Sequence, residues 1–316
     1  MVVFLHGWGA TNPRPYRPWI DHLVKRGNLV VYPVYQDGML YPIAPMMSNA
    51  AAAVRDALAR LDRAPVRDER ERLAIVGHSL GAAMGASLAA SYQAEGLPSA
   101  RAVMCVQPGK TWSRARRAAI ELADLSRIPA STLLLTVAGE DDRIAQDVDA
   151  RKIFLNATAV PPANKNFITV LSDRHGDPAL VADHFSPSGH KVDALDYYGY
   201  WKLFDALYSA AFYGTDRRYA LGDTPEQRYM GVWSDGVPVK ERRVLSGRGV
   251  AHALVRAAPR LVPARDFRRG RDESRPGRLR ACATGYNRGT GGFRTDHGYT
   301  PFRRTWRRNT LSPAVT

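Results

Sequence analysis

Short apolar runs alternate along this chain with longer segments in which apolar residues recur at helical spacing. This alternation is typical of crossover units that build a mostly parallel β-sheet. The runs predict strands at residues 2–5, 28–35, 72–77, 101–106, 131–139 and 167–172. Because these runs are continuously apolar, we expect helices to cover both faces of the sheet.

The longer amphipathic or alanine-rich segments lie between these runs. They predict helices at residues 18–27, 48–62, 80–96, 113–125, 146–156 and 193–214. The last segment has a broad aromatic face, which we expect to pack against the core. The element order predicts the α/β class, with a doubly wound sheet.

The formal charge of +15 is unevenly distributed along the chain. Residues 1–240 hold 27 Lys and Arg against 25 Asp and Glu, whereas residues 241–316 hold 18 Arg against 5 acidic residues. The second range has few aliphatic residues and is predicted to be a disordered tail that follows one folded domain. Since the folded domain is nearly neutral, we expect no nucleic-acid partner, and only the tail would support one.

Three features of the composition and of the first residues bear on location and cofactors. No run approaches the roughly 18 apolar residues that a membrane-spanning helix needs. The opening MVVFLHGWG has no basic n-region or cleavage pattern, so the compartment stays open: cytoplasmic by default, and secreted or periplasmic if the natural chain starts further upstream. Two cysteines, Cys105 and Cys282, indicate neither a disulfide framework nor a zinc site, and we expect no metal or organic cofactor.

One serine stands between two glycines in AIVGHSLGAAMG, residues 74–85. Ser79 has two interpretations, and the simpler one is a helix N-cap. The setting favours the other, because G-x-S-x-G between a strand and a helix is the pattern of a nucleophile elbow. A Cβ at Gly77 or Gly81 would crowd such a turn. The turn would lift the Ser79 hydroxyl above the carboxyl edge of the sheet.

A serine hydroxyl becomes nucleophilic when a base takes its proton and an acid orients that base. Carboxylates follow the strand at 131–139 in VAGEDDRIA, and a loop there lies at the same sheet edge as Ser79. Asp142 is predicted as the orienting acid. Asp141 is the second choice and Glu140 the third.

The predicted base is His175, which comes just beyond the strand at 167–172. Its place after the serine and the aspartate matches the chain order that this architecture uses. His184 and His190 are alternatives. Both lie further from a strand end, so we expect them to cap or line the following segment.

An attacked carbonyl oxygen gains negative charge, which preorganised N–H groups stabilise. The backbone N–H of Leu80 is predicted as one donor, because it opens the helix after Ser79. The N–H of Trp8, in FLHGWGAT after the first strand, is predicted as the other. His6 in the same turn is expected to be structural.

Four segments together resemble the α/β-hydrolase family, in particular its serine esterase and lipase-like members: HGWG, GHSLG, GEDD and RHG. The similarity runs from about residue 2 to 214. It implies that residues 1–240 form a catalytic domain with a Ser79, Asp142 and His175 triad that cleaves carboxylic esters through an acyl-enzyme. Members of the family usually have two further strands before the one that ends in HG, and this chain begins without them.

The resemblance leaves the substrate open. The expected partner is a small-molecule ester, and the Tyr, Trp, Met and Pro of 11–19, 35–47 and 178–189 favour an apolar or aromatic group on it. A thioesterase, an amidase or an acyltransferase would use the same triad. The alternatives from other classes are a non-catalytic binding protein and a nucleic-acid binder acting through the basic tail. The oligomeric state is not predicted.

Overall fold

A computed structural model describes residues 1–63, 72–109, 119–189 and 191–246 of the chain. The strands are β1 (Val2–Leu5), β2 (Val30–Val31), β3 (Ala74–His78), β4 (Ala102–Val106), β5 (Leu133–Gly139), β6 (Lys165–Val170) and β7 (Arg243–Ser246). The helices are α1 (Arg17–Lys25), α2 (Met46–Leu61), α3 (Leu80–Ser91), α4 (Val148–Asn156), α5 (Lys202–Tyr213), α6 (Arg217–Ala220) and α7 (Pro225–Arg228).

The seven strands form one sheet in the order β2-β1-β3-β4-β5-β6-β7. All neighbours are parallel except β7, which pairs antiparallel with β6. The chain first steps from β1 outward to β2 and then returns to place β3 on the other side of β1. Open α/β sheets bind their ligands at the carboxyl ends of the strands where the strand order reverses, which here is between β1 and β3.

Alternate residues of each strand face opposite sides of the sheet and join two separate cores. Val3 and Leu5 pack with residues of α2 and α3, whereas Val2 and Phe4 pack with residues of α1 and α5. The prediction of a doubly wound α/β sheet with helices on both faces is therefore confirmed. Among the residues described, no helix is both long and apolar enough to cross a membrane.

The helix that follows Ser79 is almost completely buried. Every residue of α3 from Leu80 to Ala90 is buried, because the helix lies between the sheet and α2. Its glycine and alanine residues let the helix backbone approach the strands closely, as at Gly85, where an added Cβ would lie 3.0 Å from Ile75 Cγ2. The start of α3 is thereby fixed at the middle of the sheet.

The aromatic segment near 193–214 packs as predicted, although its winding differs. Leu195–Trp201 forms a π-helical stretch that continues into α5. Tyr198, Trp201 and Phe204 are buried in the core on that face of the sheet. The aromatic spacing predicts the buried face, but it does not predict the wider turn.

Among the predicted boundaries that differ from the structure, two have a clear physical reason. The strand predicted at 28–35 shortens to Val30–Val31, since Pro33 lacks the N–H that a sheet ladder needs. The domain boundary predicted at residue 240 falls before the end of the sheet, because β7 pairs with β6 and Arg242 is buried.

Some predictions concern residues outside the described ranges. The tail prediction beyond residue 246 and residues 113–118 of the helix predicted at 113–125 are among them, as are His190 and Cys282. Residues 119–125, the described part of that segment, are not α-helical, so the helix prediction is wrong there. Leu125 begins a short 3-10 turn that runs to Arg127.

Candidate active site

The turn between β3 and α3 holds Ser79 in an unusual backbone conformation. Its φ and ψ are 55° and −121°, a region that costs a non-glycine residue free energy and persists only where the surroundings enforce it. A Cβ on Gly77 would overlap the carbonyl of Gly81, and a Cβ on Gly81 would overlap the carbonyl of Leu5. Both positions flanking the serine therefore require glycine, as the elbow motif predicts.

The side-chain hydrogen bonds of Ser79 are not those of a helix N-cap. Its backbone N–H donates to the carbonyl of Val106 at 3.0 Å, and its carbonyl accepts from the N–H of Ala82 at 3.0 Å. Its side chain makes no capping bond to α3. The Oγ atom instead lies 2.9 Å from Nε2 of His184. Ser79 is thus an elbow serine whose hydroxyl faces an imidazole.

His184 bridges Ser79 and Asp142. Its Nδ1 lies 2.8 Å from Oδ2 of Asp142, and all three side chains are buried. An ionised carboxylate can only accept hydrogen bonds, so the proton of the imidazole is on Nδ1. Nε2 is then free to accept the hydrogen bond of the Ser79 hydroxyl.

Asp142 is held in its ionised form. Its Oδ1 accepts hydrogen bonds from the backbone N–H groups of Ile144 and Ala145, both at 2.9 Å. Burial alone would raise the pKa of this carboxyl, but the bonds from His184 and from the two N–H groups outweigh burial and lower the pKa. The negative charge that would stabilise a protonated His184 is therefore in place.

The other two candidate carboxylates have different partners. Asp141 accepts hydrogen bonds from Ser172 Oγ at 2.6 Å and from Arg174 Nη2 at 2.9 Å. Glu140 accepts from the backbone N–H of Ser172 at 3.1 Å. Of the three acids weighed from the sequence, Asp142 is the one that contacts the imidazole beside Ser79.

The structure contradicts the expectation for His175, which does not contact Ser79. Its Nε2 bonds Oδ2 of Asp235 at 2.7 Å, and its side chain is 41% exposed. The physical reason is a detour of the chain after β6. Asp173 and Leu180 pair across an antiparallel bridge, which puts His175 at the outer end of the excursion.

The chain returns to the sheet edge at Ala182, two residues before His184. The N–H of Ala182 donates to Ser172 Oγ at 2.9 Å, and its carbonyl accepts from the N–H of Asp141 at 3.1 Å. A Cβ on Gly139 would overlap that carbonyl, so glycine at the end of β5 allows the approach.

A sequence signal for this detour exists in DRHGDPAL, residues 173–180. Its Asp, Gly and Pro residues are typical of a tight turn. A histidine inside such a turn is carried away from the strand end. That signal favours the next histidine along the chain, His184, which the reasoning from strand ends ranked too low.

The two predicted N–H donors lie on the segments that follow β3 and β1. Leu80 is the first residue of α3, and Trp8 follows the end of β1. A Cβ on Gly7, the neighbour of Trp8, would lie 3.4 Å from Ser79 Cβ. The loop after β1 therefore lies directly against the serine, as the prediction of two donors requires.

His6 is enclosed beneath this loop. Its ring stacks on Tyr35 with 4.0 Å between ring centroids, and its Nδ1 lies 2.7 Å from the carbonyl of Gly7. Burial lowers the pKa of His6 to about 4, which keeps the imidazole neutral. These contacts are those of a residue that supports the loop. Among the described residues, no group of three or more His, Cys, Asp or Glu side chains is arranged to hold a metal ion.

A family model described as alpha/beta hydrolase fold matches residues 2–163. The match covers more than half of the chain and includes the loop after β1, the Ser79 elbow and Asp142. The protein therefore belongs to the α/β-hydrolase family, as the sequence motifs indicate. A comparison with curated proteins finds no match.

Solved esterase structures are similar in fold at low sequence identity. A thermostable esterase from Pseudomonas putida ECU1011 is 18% identical with a TM-score of 0.43, over 54% of this chain and 63% of that one. A fungal esterase from Rhizomucor miehei is 16% identical with a TM-score of 0.48, over 66% and 74%. An esterase from Thermogutta terrifontis is 16% identical with a TM-score of 0.46, over 65% and 80%. The chain thus spans less than two thirds of the length of the first of these.

The elbow geometry predicts that Gly81→Ala destabilises the protein by more than about 3 kcal/mol, because the added methyl group would meet backbone carbonyls that cannot move aside. Gly85→Ala in the same helix is the matched control. Its methyl group meets only a side chain, and alanine favours helix, so the change should stay within about 1 kcal/mol. Urea unfolding of both variants measures the difference. Equal stabilities would contradict the geometry of the turn.

Proposed function

We propose that this protein is a serine hydrolase that cleaves carboxylic esters through an acyl-enzyme intermediate. The observation that carries the proposal is the continuous hydrogen-bonded series from Ser79 through His184 to Asp142. Its members come from three distant segments and meet at the carboxyl edge of the sheet. Membership of the α/β-hydrolase family supports the same conclusion.

In the proposed mechanism the Ser79 Oγ attacks the ester carbonyl carbon while Nε2 of His184 takes the hydroxyl proton. Asp142 stabilises the imidazolium that forms. The tetrahedral intermediate collapses when the C–O bond to the alcohol breaks, and His184 donates its new proton to the departing alcohol. Water then attacks the acyl-enzyme and gives a proton to His184. Release of the carboxylic acid returns that proton to Ser79.

The backbone N–H groups of Leu80 and Trp8 are proposed to stabilise the oxyanion of both tetrahedral intermediates. Leu80 supports this role through its position, since the first N–H groups of a helix have no partner within the helix. Trp8 supports it through the close approach of its neighbour Gly7 to Ser79. Each donor of this kind typically contributes about 3 to 4 kcal/mol to transition-state stabilisation.

We propose further that the ester carries an apolar group, because large apolar side chains are exposed on segments that contact the triad or the loop after β1. Phe185, next to His184, is 61% exposed and places its ring centroid 5.5 Å from that imidazole. Ile144, whose N–H binds Asp142, is 62% exposed. Leu40 is 99% exposed, in the loop whose Met39 packs on Gly9. Exposed apolar side chains grouped around a reactive centre are typical of a binding mouth.

The mechanism predicts that Ser79→Ala and His184→Ala each lower kcat for p-nitrophenyl butyrate by at least about 10⁴-fold, because either change removes proton transfer from the nucleophile. Asp142→Asn should lower kcat by about 10³- to 10⁴-fold, whereas Asp141→Asn should stay near the parent.

His175→Ala is the matched control for the imidazole and should keep kcat within about threefold of the parent. A fluorophosphonate probe should label the parent at Ser79 alone. Parent-like turnover in Ser79→Ala would refute the proposal. Loss of turnover in a folded His175→Ala variant would instead identify His175 as the base, as the sequence predicts.

The apolar mouth predicts a change in acyl-chain preference, measured as kcat/KM for p-nitrophenyl hexanoate divided by kcat/KM for p-nitrophenyl acetate. Phe185→Ser and Leu40→Ser should each lower this ratio by about 3- to 30-fold, because each variant loses contact with the longer acyl chain. Val24→Ser is the control. Val24 is 52% exposed near the end of α1, which runs from the site edge toward the opposite edge of the sheet. An unchanged ratio in both mouth variants would show that the acyl chain binds elsewhere.

A further inference from the structure

Ser79 directly follows a strand, which fixes its position, whereas His184 does not. His184 lies 14 positions after Val170, the last residue of β6. The segment around His184 has no regular secondary structure of its own. Its side chain must nevertheless meet Ser79 and Asp142 at once, so something outside the segment must hold its backbone.

His78 supplies one such contact, immediately before the elbow serine. Its Nε2 lies 2.8 Å from the carbonyl of His184, and its Nδ1 lies 2.8 Å from the hydroxyl of Tyr16. Because a carbonyl only accepts, the proton is on Nε2 and the Tyr16 hydroxyl donates to Nδ1. That hydroxyl in turn accepts from the N–H of Gly7 at 3.0 Å.

The environment of His78 keeps it in the required form. The side chain is buried, and burial together with the nearby His184 ring lowers the pKa of His78 to about 3. A neutral imidazole can donate from one nitrogen and accept at the other, as this arrangement needs. The bonds also connect the loop after β1 with the segment that carries His184.

Gln107 supplies the second contact, directly after β4. Its Nε2 donates to the carbonyl of Asp183 at 2.7 Å, and the residue is completely buried. Its backbone φ is 47°, a conformation that glycine adopts without strain and glutamine does not. A glutamine at such a position indicates that its side chain is needed there.

We propose that His78 and Gln107 are positioning residues for His184. They donate hydrogen bonds to two consecutive carbonyls, those of His184 and Asp183, and so fix the backbone from which the imidazole projects. We call these two side chains the carbonyl anchor. This role rests on the proposed function, since it matters only if His184 is the base for Ser79.

Both donors project from the same sheet edge as the elbow, because β3 and β4 are neighbouring parallel strands whose register pairs His78 with Val106. The anchor therefore fixes the irregular segment around His184 to the rigid end of the sheet. Displacement of a catalytic group by about 1 Å can cost on the order of 10²-fold in rate. Loss of the anchor should thus affect turnover much more than substrate binding.

The test compares the parent with His78→Phe and Gln107→Met, which keep approximate size and remove the donors. Each should lower kcat for p-nitrophenyl butyrate by about tenfold or more, with KM within about threefold. The rate constant for labelling Ser79 with the fluorophosphonate should fall in the same proportion. The double variant should lose less than the product of the single losses, because both bonds hold one segment.

Two further measurements separate positioning from general destabilisation. Val103→Ala removes core volume from β4 without touching the anchor, and it should lower the unfolding temperature while keeping kcat near the parent. The low-field NMR signal of the His184 Nδ1 proton, bonded to Asp142 in the parent, should shift or broaden in the anchor variants and not in Val103→Ala.

Restoring a donor should restore turnover, so His78→Gln, whose amide can reach the same carbonyl, is expected to recover part of the kcat lost in His78→Phe.

If His78→Phe does not fold, Tyr16→Phe replaces it, with an expected loss of about three- to tenfold in kcat. The anchor would be overturned if the folded variants keep the kcat and the NMR signal of the parent while turnover by the parent still depends on Ser79. That result would leave the proposed function intact. Turnover that does not depend on Ser79 would overturn both.

Discussion

The geometry of the candidate site depends on one close approach between backbones. The first turn of α3 lies against the ends of β1 and β3, so near that a side chain at Gly77 or Gly81 would overlap a carbonyl group. This packing forces Ser79 into its strained conformation and turns its hydroxyl away from the helix that follows. The buried, small-residue surface of α3 supports the same approach along its length. Burial of apolar residues on both faces of the sheet offsets the local strain.

Much of this arrangement can be predicted from the sequence because its determinants are local. Continuous apolar runs identify the strands, and the glycines around Ser79 identify the tight turn between β3 and α3. The choice of Asp142 among three adjacent acids agrees with its contact to the imidazole. β7 is harder to predict, because its four residues follow a stretch without periodicity and belong to the sheet only through pairing with β6.

The histidine that contacts Ser79 cannot be identified from local sequence patterns alone. The distance from a strand end favours His175, yet the chain between β6 and Ala182 folds back on itself and carries that residue outward. The position of His184 depends on contacts made by residues distant in sequence, among them Gly139, His78 and Gln107. Such contacts leave no periodic pattern in the segment around His184. The turn residues of 173–180 are the only local sign of the detour.

We propose that Ser79, His184 and Asp142 form one reactive unit. A crystal structure of the protein inactivated by a small alkyl phosphonate tests it most directly, because the covalent adduct mimics a tetrahedral intermediate. The proposed triad predicts phosphorus bonded to Ser79 Oγ, the His184 ring within hydrogen-bond distance of the adduct, and a phosphoryl oxygen facing the N–H groups of Leu80 and Trp8. Phosphorus on another residue, or the ring of His175 in place of that of His184, would contradict it.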